Sequence, residues 1–239
     1  MADDRVNSSY TSDDHAFRES DPYARAKYDL TLRWLSKRIR PAETIYNIGV
    51  GSGCFNHLAV SRGLRVLGCE PDTDAYGAAV RSAPPGTELI NCGLIEFAAN
   101  REPAPLVVMH DVLEHIEDDV TAARTLASIV SENGTAIVSV PALMSLYGVH
   151  DEHLGHYRRY NARTLRSVLD PFFEIRRMQW YGMASIPIAF YYSRWRRKPY
   201  PIGTTRSLIG DAYAAVCKAE SYLSEPVGTS IIVEVTPRG

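Results

Sequence analysis

A short glycine-rich stretch, NIGVGSG (47–53), is the first part of the chain whose composition suggests a bound ligand. Its glycines, Gly49, Gly51 and Gly53, form the pattern G-x-G-x-G. Glycines let the backbone turn tightly and let a ligand approach without meeting a Cβ atom. The dinucleotide fingerprint needs a small residue three positions after the second glycine, where this chain has Cys54. The stretch therefore predicts a ligand-binding loop and leaves open whether the ligand carries a pyrophosphate.

An acidic residue, Glu70, follows this loop by about twenty residues and ends the apolar run RVLGCE (65–70). A carboxylate at such a strand end can accept hydrogen bonds from both hydroxyls of a ribose. Loop and carboxylate together predict a ligand that contains adenosine, either NAD or another molecule. The alternative is a solvated strand end followed by a turn at Pro71-Asp72.

The densest polar cluster lies in HDEHLGHYRRY (150–160). We favour a lid over a substrate, in which one histidine is a general base and an arginine binds an anionic group. A structural loop is the next interpretation. A metal site ranks third, and no metal is assigned, because H-D-x-H-x-x-H is not a standard zinc spacing. The candidate bases here are His153 and His150, and the candidate substrate contacts are Tyr147, His156, Arg158 and Arg159.

His115 lies in a second histidine-containing stretch, VVMHDVLEHIEDD (107–119). It is a further candidate base, because the turn after a strand can face a pocket in a parallel sheet. The alternative, that His115 only packs and satisfies backbone groups, is given equal weight.

Residues 178–193 carry no charge and are followed by a basic group at Arg194, Arg196, Arg197 and Lys198. Core and loop are the simplest interpretation. The alternatives are an aromatic wall of a substrate site that includes Trp180, or a membrane-surface patch suited to a lipid-linked or anionic substrate.

Short apolar runs alternate with helical patterns along most of the chain. This alternation predicts an α/β fold with a doubly wound, mostly parallel sheet of seven strands and an antiparallel final strand. The predicted strands are 44–49, 65–70, 87–92, 105–111, 134–141, 173–182 and 229–235. An N-terminal helix starts at the cap Asp21 and ends before Pro41.

The predicted organisation is a mobile segment, 1–20, and a single domain, 21–239. Segments 143–160 and 182–225 have the weakest patterns, and we expect them to cover the substrate.

The composition excludes several classes of protein. The chain has 239 residues, is 45% hydrophobic and has a formal net charge of −2, which argues against a dedicated nucleic-acid binder. Its four cysteines form no C-x-x-C pair, and no run approaches the length of a spanning helix. The polar, acidic N-terminus differs from a signal peptide. We therefore expect a cytoplasmic protein without a transmembrane segment, of undetermined oligomeric state.

Three motifs, NIGVGSG, GCEPD and HDVLEHI, occur in the order and at the separations of one known family. Over residues 40–180 and the two final strands, the chain resembles the class I S-adenosylmethionine-dependent methyltransferases. It most resembles the branch with ubiquinone-pathway O-methyltransferases and sugar methyltransferases. The resemblance implies methyl transfer from S-adenosylmethionine to an oxygen or nitrogen of a small-molecule acceptor, with S-adenosylhomocysteine as the product.

The resemblance also implies roles for individual residues. The loop would face the methionine part of the donor, which carries no phosphate, and Glu70 would hold the ribose. The remaining donor contacts would be Asn47, Pro71, Gly93, Leu94, His110, Asp111 and Val112. Two of these depart from the family, which often has an acidic residue at positions 47 and 93. The departures imply weaker contacts to the donor's ammonium and adenine, or compensation by another carboxylate.

Two other functions compete with methyl transfer. A nicotinamide-dependent oxidoreductase would need G-x-G-x-x-G and usually a second nucleotide-binding half, and neither is visible. A non-catalytic protein that binds an adenosine ligand is supported only by Asn47 and the unassigned base.

Overall fold

The computed structural model describes residues 21–198 and 208–238. The predicted mobile segment 1–20 lies outside the described residues. Residues 199–207, within the predicted substrate-covering segment 182–225, also lie outside them, as does Gly239.

The described residues contain a seven-stranded sheet with the order β3-β2-β1-β4-β5-β7-β6. Strands β1 to β5 are parallel to one another, and β7 is antiparallel to both β5 and β6. The predicted fold class is therefore confirmed, including the antiparallel final strand. The strands are β1 (Thr44–Ile48), β2 (Arg65–Cys69), β3 (Thr87–Ile90), β4 (Ala104–His110), β5 (Val130–Pro141), β6 (Phe173–Tyr181) and β7 (Ser230–Pro237).

Successive side chains of a strand point to opposite faces of the sheet. Both faces carry apolar side chains here, and helices cover both. In β4, Val107 and Met109 join one apolar core, whereas Leu106 and Val108 join the other. Apolar side chains of α4, α5 and α7 complete the first core, and those of α1 and α2 contribute to the second. The α-helices are α1 (Pro22–Leu35), α2 (Cys54–Ser61), α3 (Thr73–Ser82), α4 (Leu94–Ala99), α5 (Asp119–Ser128), α6 (Val149–His153), α7 (Ala162–Leu169), α8 (Ile186–Phe190) and α9 (Leu208–Glu220).

The strand order reverses between β2-β1 and β4-β5, so β1 and β4 lie at the switch point of the sheet. In open α/β sheets, ligands bind beyond the carboxyl ends of the strands at such a point. The glycine loop follows β1, and HDVLEHI begins at the end of β4. The fold therefore brings two of the three motifs to the same edge, beside Glu70 at the end of β2.

The structure departs from the sequence predictions at several elements. Helix α1 ends at Leu35, six residues before Pro41, and the amide and the hydroxyl of Ser36 both donate to the Arg33 carbonyl there. Strand β5 continues through residues 133–134, where the sequence predicts a turn. Its pairing with β4 changes register between Ala104 and Leu106. Helix α4 was not predicted, and it covers only six residues. Most of the described part of 182–225 is helical, although its pattern is weak.

Two carboxylates anchor the start of this late helical region. Glu220 accepts a hydrogen bond from the Ala184 amide at 2.7 Å, and Glu225 accepts one from the Met183 amide at 3.1 Å. Both side chains are buried. Burial raises the pKa of Glu225 to about 7; the Met183 amide opposes this rise and the charge of Glu220 adds to it.

Glu225→Gln is expected to stabilise the protein at pH 8 by about 1–3 kcal/mol and to change little at pH 5. A folded-state pKa above the unfolded value makes the wild-type contribution largest below about pH 4.5, and it is lost as the pH rises to about 7. Glutamine keeps the acceptor for Met183 and carries no charge. Urea unfolding at both pH values measures the effect, with exposed Glu174→Gln as control. An equal change at both pH values would contradict the prediction.

Candidate functional site

The glycine loop has left-handed backbone conformations at each of its three glycines. The φ angles are +71° at Gly49, +55° at Gly51 and +87° at Gly53, values that residues with a Cβ atom rarely adopt. A Cβ atom on Gly49 would overlap the side chain of Val112, whereas a Cβ atom on Gly51 would meet nothing within 4 Å. Gly49 thus permits close packing on the residue after Asp111, and Gly51 faces space that a ligand can enter.

The carboxylate of Glu70 is bound to the loop itself. It accepts hydrogen bonds from the Gly51 amide at 2.7 Å and from the Asp72 amide at 3.0 Å, and the residue is 8% exposed. A carboxylate has about four acceptor positions, more than these two hydrogen bonds use. Glu70 is therefore held in place beside the loop.

Asn91, which the sequence analysis did not identify as a site residue, follows β3 and joins it to the residues after β2. The side-chain amide of Asn91 donates to the carbonyls of Glu70 at 2.7 Å and Pro71 at 3.3 Å. Gly93 caps the start of α4, and Leu94 is buried in the core beneath it. Pro71, Gly93 and the start of α4 therefore lie at the same edge as Glu70, although Leu94 presents its side chain to the core.

The floor of the site follows β4. Asp111 has φ +52°, forms an ion pair with Lys27 of α1 and accepts a hydrogen bond from the Ser139 hydroxyl at 3.0 Å. Burial raises the pKa of Asp111, but the charge and hydrogen bond of Lys27 and the Ser139 hydroxyl outweigh it and leave the pKa below its usual range. Asp111 is therefore an anion at neutral pH, with 31% of its side chain exposed.

His110 lies below this floor and is only 7% exposed. Its ring contacts Tyr28 and Phe55, with centroids 4.9 Å and 5.1 Å away, and its Nε2 lies 2.9 Å from the hydroxyl of Thr31. Burial and the charge of Lys27 lower the pKa of His110 to about 3. The imidazole is therefore neutral at physiological pH.

Asn47 is 2% exposed, and its side-chain amide donates to the side-chain oxygen Oδ1 of Asn56 at 2.8 Å. This hydrogen bond ties β1 to α2 beneath the glycine loop. The side chain of Asn47 is uncharged, whereas Asp111 contributes an anionic group to the floor of the site. The pairing of Lys27 with Asp111 was missed in the sequence. The sequence contains one indication that Lys27 is buried: it lies four positions after Tyr23, on the mostly apolar side of α1.

The segment after β5 is organised by Asp151, which is fully buried in α6. Its carboxylate accepts hydrogen bonds from His156 Nδ1 at 2.8 Å, Arg159 Nε at 2.7 Å and the Gly148 amide at 3.1 Å. Burial raises its pKa, but the His156 hydrogen bond and the charge of Arg159 outweigh that effect, so the pKa lies below its usual value. Arg159 is therefore engaged with Asp151 and with the Ala142 carbonyl, 3.2 Å away.

Two histidines from separate segments meet beside this carboxylate. The rings of His115 and His156 pack edge to face with centroids 4.6 Å apart, and His156 Nε2 lies 4.0 Å from Glu114 Oε1. Tyr157 donates its amide to the Glu114 carbonyl at 2.9 Å, and Tyr147 donates its hydroxyl to the His156 carbonyl at 2.8 Å. We name Glu114, His115 and His156 the histidine cluster. Glu114 was missed, although it lies within the LEH run that drew attention to His115.

The other predicted acceptor-side residues are more dispersed. His150 is buried in α6, whereas His153 is exposed on the same helix. Arg158 binds the start of α5, with 2.8 Å to the Asp119 carboxylate and 2.7 Å to the Glu117 carbonyl. Trp180 is partly buried near the carboxyl end of β6, where it pairs with Ile231 and packs on the core.

Within 21–198 and 208–238, no helix has both the length and the apolar character needed to cross a membrane.

The curated proteins that this chain resembles are described as methyltransferases. No family model matches the chain. Two curated relatives, probable S-adenosylmethionine-dependent methyltransferases of Mycobacterium tuberculosis strains CDC 1551 and H37Rv, are each 28% identical over 130 residues. The match covers 54% of this chain and 47% of each relative, so the chain spans about half the length of the curated relatives it matches.

Solved structures extend the likeness to most of the chain. The N-methyltransferase NodS of Bradyrhizobium japonicum in complex with S-adenosyl-L-homocysteine has a TM-score of 0.60 at 14% identity, covering 92% of this chain and 90% of NodS. The magnesium protoporphyrin IX methyltransferase of Synechocystis with bound S-adenosylmethionine has a TM-score of 0.54 at 18% identity, covering 89% and 78%. The chain therefore has the fold of the class I S-adenosylmethionine-dependent methyltransferases, and the resemblance predicted from its motifs is confirmed.

Proposed function

We propose that the chain binds S-adenosylmethionine and transfers its methyl group to an oxygen or nitrogen of a small-molecule acceptor, releasing S-adenosylhomocysteine. The observation that carries this proposal is the carboxylate of Glu70, held by two backbone amides next to the open side of Gly51. The named activity of the Mycobacterium relatives and the ligands of the solved neighbours support it.

The charged groups at this edge of the sheet are compatible with S-adenosylmethionine as the methyl donor. The ribose diol would donate to Glu70, and the sulfonium and methionine part would pass along the glycine loop, where no phosphate needs to be bound. Asp111 follows the strand beside the loop, and its neighbour Val112 contacts Gly49. The carboxylate of Asp111 is partly exposed while it is paired with Lys27, and it would accept a hydrogen bond from the donor's ammonium group, a charged acceptor that Asn47 does not provide.

The chemistry of methyl transfer indicates which groups the acceptor-binding part of the site must provide. A sulfonium methyl group is already activated, so the protein must align the nucleophile, the methyl carbon and the leaving sulfur, and must remove a proton from the acceptor. The histidine cluster lies one turn beyond the floor residues, which makes it our proposed site of acceptor deprotonation. His150 and His153 belong to the helix beside it and are weaker candidates.

The surface near α8 supports an acceptor with apolar and anionic parts. Phe190, Tyr191 and Trp195 are exposed, Trp195 by 76%, and Arg194 and Arg196 lie among them. Such a surface suits a lipid-linked or anionic acceptor.

Isothermal titration with S-adenosylhomocysteine and NAD tests the proposal. We expect S-adenosylhomocysteine to bind with a Kd of about 1–100 µM, in the range usual for enzyme ligands, and NAD not to bind. Binding of NAD in preference would favour the oxidoreductase alternative. The absence of S-adenosylhomocysteine binding at millimolar concentration would contradict the proposal.

A further inference from the structure

We propose that Cys69 and Cys92 form a reversible disulfide under oxidation, and that this disulfide weakens the binding of S-adenosylmethionine and S-adenosylhomocysteine. The site of oxidation stands on the geometry of the two cysteines. Its effect on the ligand rests on the proposed function, because the cysteines immediately precede Glu70 and Gly93, which we assign to the donor site.

The two cysteines lie at the exits of neighbouring parallel strands. Cys69 is the last residue of β2 and is in register with Ile90, the last residue of β3. The Ile90 carbonyl accepts hydrogen bonds from the amides of both Glu70 and Cys92, each at 3.1 Å. The chain therefore turns back after β3, and this turn keeps Cys92 beside the end of β2. Paired strands are about 4.8 Å apart, and disulfides join residues whose Cα atoms are about 4.4–6.8 Å apart.

Both thiols point into the same apolar core. Cys69 is 1% exposed and Cys92 is 6% exposed, and both belong to the core that contains Leu94 and Phe97 of α4. A hydrogen bond from the Cys69 thiol lowers the pKa of Cys92, and the same hydrogen bond, together with burial, raises the pKa of Cys69. Because the thiolate is the reactive form of cysteine, Cys92 is the better nucleophile of the pair.

The edge of the sheet gives a small oxidant a route to Cys92. In the described sheet, β3 is an outermost strand and has only four residues. Asn91, the residue before Cys92, is exposed. Segments with few buried contacts open locally more often than the core does. Hydrogen peroxide can therefore reach Cys92 without unfolding of the whole domain.

The reaction with hydrogen peroxide has two steps. The Cys92 thiolate attacks one peroxide oxygen and the O–O bond breaks; the released hydroxide takes up a proton, which leaves a sulfenic acid and one water. The Cys69 sulfur then attacks the sulfenic sulfur and the S–O bond breaks; the hydroxide leaves with the proton of Cys69 as a second water. The two thiols lose two electrons in total, and the peroxide gains them. A dithiol reductant reverses the reaction by thiol–disulfide exchange.

Cys69 also holds the glycine loop in place. Its carbonyl accepts hydrogen bonds from the Gly49 amide at 2.9 Å and the Val50 amide at 3.1 Å, and the next residue is Glu70. An S–S bond is about 2.05 Å long, which is shorter than a non-bonded contact between two sulfur atoms. Its formation therefore draws the ends of β2 and β3 together and shifts the loop and Glu70. By linkage, a ligand that binds the reduced form better also opposes oxidation.

Thiol counting and peptide mapping of the full chain test the site. After treatment with hydrogen peroxide, we expect two of the four thiols to remain and a non-reducing digest to link Cys69 to Cys92. Cys69→Ala is expected to stop at a sulfenic acid on Cys92, which dimedone labels. Cys217→Ala removes another buried cysteine, in α9, and is the matched control, expected to form the same disulfide. Four remaining thiols, or a different pair in the digest, would overturn the site.

Isothermal titration with S-adenosylhomocysteine tests the effect on binding. We expect oxidation to weaken the affinity of the wild type by at least about tenfold, and dithiothreitol to restore it. Cys92→Ala lacks the attacking thiol, so its affinity should not change on treatment with peroxide. A mapped disulfide with unchanged affinity would reject the control of binding. Reduced protein that forms the disulfide but does not bind S-adenosylhomocysteine would reject the proposed function and leave the site of oxidation standing.

Discussion

Glu70→Ala is expected to weaken the binding of S-adenosylhomocysteine by at least about 100-fold. The substitution would remove the acceptor for both ribose hydroxyls, and hydrogen bonds to a charged group contribute about 1.5–3 kcal/mol each. It would also remove the partner of the Gly51 and Asp72 amides, which hold the loop beside the carboxylate. Isothermal titration measures the affinity, and thermal unfolding shows whether the variant is folded.

Two further variants separate recognition of the ligand from general damage. Glu70→Gln keeps the shape but has only one acceptor oxygen, so we expect its affinity to fall between those of the wild type and Glu70→Ala. Glu88→Ala removes an exposed carboxylate from the neighbouring strand β3 and is expected to bind normally. Normal affinity in a folded Glu70→Ala protein would contradict the assignment of the donor site.

Asp151→Ala is expected to lower the free energy of unfolding by about 3–5 kcal/mol, because it leaves a buried arginine without its carboxylate. Asp151 and Arg159 have side chains 0% and 2% exposed. The same substitution removes the acceptors for His156 Nδ1 and for the Gly148 amide. Chemical denaturation at pH 7 measures the loss.

The exposed neighbour in the same helix provides the control for this prediction. Glu152→Ala is expected to change stability by less than about 0.5 kcal/mol. Arg159→Met combined with Asp151→Ala should be more stable than Asp151→Ala alone, because the buried arginine charge that has lost the Asp151 carboxylate is then absent. If the double variant were no more stable, the cost would belong to the histidine and backbone contacts of Asp151.

Much of the fold could be predicted because the strands are short apolar runs separated by helical patterns. The parallel sheet follows from that alternation, and the sheet places Gly49, Glu70 and Asp111 at one edge wherever their helices lie in detail. Helix α4 was missed because six residues give little periodicity. The helices between 183 and 220 were missed because their apolar residues are exposed as well as buried, which weakens the pattern.

The site was predictable where its residues follow strands and less so where distant segments meet. Gly51 and Glu70 belong to consecutive strand ends, so their proximity follows from the βαβ unit. Contacts of Lys27 with Asp111 and of His156 with Glu114 join elements far apart in the sequence, and a local pattern can indicate that Lys27 is buried but not which residue it meets. Which histidines meet therefore depended on packing, and spacing alone offered His153, His150 and His115 as candidate bases without indicating that His115 contacts His156.

The position of β7 between β5 and β6 has a consequence for how the protein is made. During synthesis the ribosome delivers β6 first, but β6 has no neighbour in the sheet until residues 230–237 have emerged. Until then β5 keeps an apolar, unpaired border of the kind that promotes aggregation of nascent chains. The growing polypeptide thus passes through a vulnerable stage that ends only when β7 is inserted.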